Sequence, residues 1–297
     1  MEFKEFREKA EKALKEDKEM AGFNIELRPC EKLNGQSYDA LVVCEKDSCV
    51  GVSINLNRMY ECFDHEFTDD CISYIKEYAC EGLAAAPVGA TDLLDSYDAI
   101  KGKLILELIS LDRNLEMLSG IPYIKTEDLA LIARIAIGEN SEGFSSAVVT
   151  NDMLKTFEIS KEELFKDAFK AASLNAPAKL QSMASVIREI TGMDETEIPE
   201  SSTELMVLSN GTKNFGASAL LYPGMLEMVS EKVGGNFVVL PSSIHEVIIL
   251  GDPGFGGYED LASMVREINA NEVAESDKLT DSVYLYEAAK HELKRVC

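Results

Sequence analysis

The stretch that decides the fold runs from Leu205 to Leu250 and reads LMVLSNGTKNFGASALLYPGMLEMVSEKVGGNFVVLPSSIHEVIIL. It holds three runs rich in β-formers: Leu205–Ser209, Asn236–Leu240 and His245–Leu250. Between the first two lies a helical pattern over about 216–233. Pro223 must kink or split it, because proline offers no N–H to the helix ladder. Pro241 and two serines separate the last two runs, which makes them a strand pair around a turn. Strands that return on each other around a helix point to α+β architecture rather than a doubly wound sheet.

The same block pattern continues outward. On the C-terminal side, Gly251–Gly257 is a glycine loop and Tyr258–Ala270 a helix. Val283–Tyr286 reads as a short strand, followed by a charged helix. On the N-terminal side, Thr191–Ser202 is a polar linker and Pro177 opens a helix to Thr191. Ser160-Lys-Glu-Glu163 is a capping box that starts a helix running to Leu174. Leu129–Ile137 is almost entirely apolar and β-rich, so it predicts a central strand. Phe144–Thr150 and Lys103–Leu111 predict further strands, and 114–119 a short helix.

The N-terminal part begins with an amphipathic helix over 2–19, whose Phe3, Phe6, Ala10, Ala13 and Leu14 recur at helical spacing. Glu5–Lys9, Glu8–Lys12 and Glu11–Lys15 are i,i+4 pairs in the favourable orientation. A meander over Asn24–Cys30, Tyr38–Glu45 and Val50–Asn55 turns at Asn34-Gly35 and at Lys46-Asp47-Ser48. Thr68 is placed to cap an acidic helix to Glu81, and a second helix starts at Thr91. Gly120-Ile-Pro122 marks a boundary, giving an N-terminal lobe 1–119 and a C-terminal lobe 120–297. The expected fold is α+β in two lobes, with antiparallel or mixed sheets flanked by helices.

Composition narrows the function. A chain of 297 residues buries roughly 75% of its unfolded surface and needs no staple. Net charge is −24, from 53 acidic and 29 basic residues, which repels phosphate backbones and anionic lipid. Nucleic acid and membrane are therefore not expected partners. An acidic decoy for a basic protein is a further reading, although the carboxylate runs are short, such as Asp69-Asp70. The N-terminus is charged without an apolar core, and the seven cysteines are an odd number, so a reducing cytoplasm is expected.

Five boxes carry a resemblance: Asn214-Phe-Gly-Ala217, Leu221-Tyr-Pro223, Leu240-Pro-Ser-Ser-Ile-His-Glu246, Asn269 with Val273, and Leu279-Thr-Asp-Ser-Val-Tyr-Leu-Tyr286. Together they resemble an uncharacterised domain-of-unknown-function family of anaerobic Gram-positive bacteria. The resemblance implies a bacterial cytoplasmic protein and brings no catalytic residues with it.

The candidate binding surface is Ser242, Ser243, His245 and Glu246 with Tyr222. Ser243 and His245 share a face if the segment is extended, which suits a hydrolase with His245 as general base. The chain has no G-x-S-x-G elbow to expose a serine, and a turn with locally bonded serines reads equally well. Asn210, Asn214 and Asn269 fit turn chemistry as well as ligand binding. The Gly251-Asp-Pro-Gly-Phe-Gly-Gly257 loop lacks a phosphate-cradle spacing. Cys62, His65, Cys71 and Cys80 lack zinc-knuckle spacing. No metal and no cofactor are expected, and the leading reading is a non-catalytic binding or protein-interaction module, with self-association as one form of it.

Overall fold

The computed structural model describes residues 1–46, 51–84, 96–140, 143–192, 205–252, 254 and 257–297. The turn expected at Lys46-Asp47-Ser48, the helix start at Thr91, most of the 191–202 linker and parts of the 251–257 loop lie largely or wholly outside these residues. The fold is α+β, and the chain divides into two compact units. One comprises Met1–Ala99 and Ile137–Gly143, the other Ile100–Ala136 and Phe144–Cys297. The division thus falls at Ile100 and not at Gly120. The strand at 104–110 is the reason, because it pairs along its whole length with 129–135.

In the first unit, α1 (Phe3–Glu16) precedes a meander of β1 (Phe23–Glu31), β2 (Ser37–Glu45) and β3 (Gly51–Asn55). Asn34 and Gly35 both take positive φ, as the hairpin twist requires. Then come α2 (Leu56–Cys62) and α3 (Asp69–Ala84). Asn55 caps α2, and Thr68 Oγ1 accepts the Cys71 N–H at the start of α3. One face of α1, Phe6, Ala10 and Leu14, is buried against Leu41, Ile54, Leu56 and Ile75. Of the three expected ion pairs on α1, Glu5–Lys9 and Glu11–Lys15 form at 2.8 Å, while Lys12 turns to Glu16.

The division falls at the end of α4 (Tyr97–Ile100), and the second unit starts with β4 (Leu104–Ser110), α5 (Leu115–Leu118), β5 (Tyr123–Thr126), most of β6 (Leu129–Asn140) and β7 (Gly143–Val148). β6 pairs with β4, β5 and β7, the central place its apolar run predicts. Next come α6 (Asn151–Phe157) and α7 (Lys161–Asn175), the latter capped by Ser160. Leu164, Phe165, Ala168, Ala171 and Ala172 of α7 are buried, and the helix packs on β4. Each large apolar side chain so removed from water stabilises by roughly 1.5–3 kcal/mol.

The second sheet of this unit uses β8 (Ala178–Ser182), α8 (Met183–Thr191), β9 (Leu205–Asn210), a 3₁₀ segment (Gly216–Leu221) and α9 (Met225–Val233). β10 (Phe237–Ser243), β11 (Glu246–Gly251), α10 (Tyr258–Asn271), β12 (Tyr284–Glu287) and β13 (Glu292–Arg295) complete it. Strand order is β13-β12-β10-β11-β9-β8, and the pairings are antiparallel. Pro223 splits the expected 216–233 helix into the 3₁₀ segment and α9.

Two expected helices are corrected. The stretch after Pro177 is first the edge strand β8, paired with β9, and becomes helical only at Met183, where Ser182 caps it. The charged C-terminal stretch is β13, not a helix. Tyr286 pairs with Leu293 and Tyr284 with Arg295, so pairing with an open sheet edge overrides local helix propensity.

Candidate functional site

The expected site residues do not form one cluster. β10 ends in a bulge between Pro241 and Ser243, and the alternation of the strand sends its two serines to different surroundings. Ser242 lies in an apolar groove with Leu240, Leu250, Leu261, Met264 and Ile268, against α10. Ser243 stays in the turn, where its Oγ accepts the His245 N–H at 3.1 Å. Glu246 opens β11 opposite Ser243.

His245 is held against the segment that follows β9. Its Nδ1 accepts the Phe215 N–H at 3.3 Å, and its ring stacks on Phe215 with centroids 6.1 Å apart. Its carbonyl accepts from Ser209 Oγ at 2.8 Å, and the neighbouring Ile244 carbonyl accepts the Ala217 N–H at 3.2 Å. Phe215 is left-handed (φ 54°), a costly conformation for a bulky residue that surrounding bonds must enforce. Gly216 is the close-approach point: a Cβ there would stand 2.3 Å from the His245 carbonyl oxygen.

This arrangement argues against a serine hydrolase. A neutral imidazole whose Nδ1 accepts a hydrogen bond carries its proton on Nε2, so Nε2 has no lone pair to take a proton from a nucleophile. Ser243 is tied to a backbone N–H and not to the ring. The position that an orienting carboxylate would take at Nδ1 is filled by a backbone donor.

Behind Phe215 lies a polar node that sequence reasoning missed. Glu107 on β4 is fully buried, and Arg134 on β6 reaches it at 2.9 Å. Arg134 also donates from Nε to Ser146 Oγ at 2.8 Å and lies 5.1 Å over the Phe215 ring. Burial raises the Glu107 pKa, and the Arg134 charge opposes that rise. Glu107 Oε1 is buried without a hydrogen-bond partner among the described residues. Such a pair costs much desolvation, and removal of one member leaves the other uncompensated. A lone charge inside each of two apolar strand runs was the available signal.

A second node closes the unit from its C-terminal side. Asp128, in the turn between β5 and β6, accepts from Thr280 Oγ1 (3.1 Å), Ser282 Oγ (2.6 Å) and the Tyr284 hydroxyl (2.5 Å). Asn269 on α10 donates to the Thr280 carbonyl at 3.1 Å and to Asp281 at 2.8 Å. Burial works against ionisation of Asp128, but the bonds from Ser282, Tyr284 and Thr280 outweigh it and lower its pKa. Asn269 is thereby a structural residue, and nothing in the 126–129 turn announces Asp128.

Tyr222 belongs to a separate feature, a cavity of about 260 Å³. Ile105, Leu106, Ala136, Phe144 and the Tyr222 ring give it apolar walls. Its polar edge is Asn210, Thr212, Asn214, Asn175 and Lys103. Asn210 is the hub of that edge. Its Nδ2 donates to the Asn214 carbonyl at 2.8 Å, and its Oδ1 accepts from the Thr212 N–H (3.1 Å) and hydroxyl (3.0 Å). The Tyr222 hydroxyl donates to the Ala176 carbonyl at 3.3 Å, and burial raises its pKa against bonds with Ser218 and Asn210.

Among the described residues, no group of three or more His, Cys, Asp or Glu could hold a metal ion. His65 instead stacks on Tyr60 at 4.4 Å, Cys71 is buried, and Cys62 and Cys80 are exposed. No described helix is long and apolar enough to cross a membrane.

Comparison with known proteins adds one assignment. The model of a family of unknown function (DUF5688) matches residues 3–288, and the chain belongs to that family. No curated protein and no solved structure matches it.

Proposed function

We propose, starting from membership of that family, that the chain is a non-catalytic binding module whose second unit takes a small molecule in the Phe144–Tyr222 cavity. The observation that carries the reading is the cavity itself. Its walls are apolar, and its few polar groups converge from one edge, the usual make-up of a small-molecule site. Two of its residues, Asn214 and Tyr222, belong to the sequence boxes Asn214–Ala217 and Leu221–Pro223 that carry the family resemblance. A cytoplasmic setting goes with this reading, supported by free thiols at Cys30, Cys44, Cys62, Cys71, Cys80 and Cys297.

The test is a fragment screen by thermal shift on wild type and on Ala136→Phe, which places a ring into the cavity. A ligand present at about a hundred times its Kd adds roughly 2.7 kcal/mol, or about 5–10 °C for a unit of this size. The expected result is a set of fragments that shift wild type and leave a folded Ala136→Phe unmoved. Hits that shift both proteins equally place binding elsewhere and overturn the reading.

A further inference from the structure

Within that reading, which it deepens, we infer that the cavity selects a small monocarboxylate with an apolar body of roughly ten non-hydrogen atoms. The size comes from packing. An apolar cavity of about 150 Å³ holds benzene, so 260 Å³ accommodates roughly ten heavy atoms at similar density. The body is apolar because Ile105, Leu106, Ala136, Phe144 and the Tyr222 ring form the walls.

The charge comes from the rim. In a protein with 53 acidic and 29 basic residues, the one charged residue among the described residues lining this cavity is a lysine, Lys103. Lys103 is exposed, at the end of a single 3₁₀ turn (Lys101–Lys103) that leads into β4. Its ammonium sits on a flexible stem and can follow an anionic head at the mouth. Asn214 supplies the neutral half of the recognition. Its backbone is engaged with Thr212 and Asn210, while its side-chain amide makes no hydrogen bond to the described residues. One ammonium and one carboxamide donor match the two oxygens of a carboxylate.

The opposing influence is the C-terminal end of α7, whose Asn175 reaches the cavity with Ala176 just beyond. A helix C-terminus carries about half a negative charge, spread over its unpaired carbonyls. Here that end is partly quenched. The Ala172 carbonyl accepts the Ala176 N–H, and the Ala176 carbonyl accepts the Tyr222 hydroxyl. A full ammonium outweighs the remainder, so an acid is favoured over an amine of equal size.

The experiment is isothermal titration of the full chain with octanoate, octanamide and octylamine, at low salt and at 0.5 M salt, on wild type and Lys103→Met. The expected result is octanoate bound about two- to fivefold more tightly than octanamide at low salt, as for an exposed ion pair. That preference shrinks at high salt and disappears in Lys103→Met, while octanamide binds both proteins alike. Equal binding of acid and amide, or tighter binding of the amine, overturns the carboxylate assignment and leaves the cavity reading standing. No binding of any of the three overturns the size and class together. In that case the fragment hits lost in Ala136→Phe still decide whether the cavity is a site.

Discussion

Gly216→Ala is the sharpest probe of how this unit is held. The added Cβ would stand 2.1 Å from Ser209 Oγ, 2.3 Å from the His245 carbonyl oxygen and 2.8 Å from the Asn210 nitrogen. Ordinary contact begins near about 3.5 Å, so the β10–β11 turn must retreat by roughly 1 Å. The serine can rotate away, at the expense of its 2.8 Å bond to His245. The carbonyl cannot move without the hairpin, and a moving hairpin loosens Ala217 N–H to Ile244 and Phe215 N–H to His245. Three hydrogen bonds at about 0.5–1.5 kcal/mol each, plus about 1–3 kcal/mol of overpacking strain, predict a loss of roughly 3–7 kcal/mol. Urea unfolding followed by far-UV circular dichroism measures it directly, since the chain has no Trp to report by fluorescence. A loss below about 1 kcal/mol would refute the argument, because it would mean that the turn yields freely.

Two other outcomes follow. The folded pKa of Asp128 is depressed, so its contribution to stability is full above the unfolded value of about 3.9 and is lost as pH falls through the folded pKa. Asp128→Asn should cost about 2 kcal/mol at neutral pH and flatten the acid limb of a stability–pH curve, while an unchanged limb would mean that the three hydroxyl bonds contribute nothing. Burial pushes the Cys71 thiol up to about 11, whereas Cys62 and Cys80 are exposed. Iodoacetamide at neutral pH should therefore label Cys62 and Cys80 in the native protein and reach Cys71 only after unfolding, as read by peptide mass mapping.

Much of the architecture was legible because local chemistry and tertiary demand agree. Ser160 and Thr68 cap the helices they announce, Asn34-Gly35 turns its hairpin, and the apolar run of β6 lies at the centre of its sheet. The failures lie where a neighbour decides. β8 and β13 are strands because β9 and β12 offer them unpaired edges, which neither segment's own sequence records. The candidate site was legible only in part. Ser243 and His245 stand out as chemistry-bearing residues, but Ser243 is tied to the local His245 N–H, and His245 Nδ1 is committed to the Phe215 N–H, a residue brought to it only by folding. Asn210, Asn214 and Tyr222 were visible as turn and box residues, while Ile105, Ala136 and Phe144, which complete the cavity, look like any other strand residues.

The Asp128 node also sets a timetable. Its hydroxyl partners lie 152 to 156 positions further along the chain, and Arg295 approaches it from 167 positions away. Joining ends so distant costs roughly 4 kcal/mol of chain entropy by the logarithmic closure law. During vectorial synthesis the β5–β6 turn is made early and waits, its carboxylate still hydrated, until the β12 and β13 strands exist. β10 waits as well, since one of its two edges belongs to β12. The second unit is therefore assembled by a late capture event, and the interval before it, with an open sheet edge, is when the nascent protein is most exposed to mispairing.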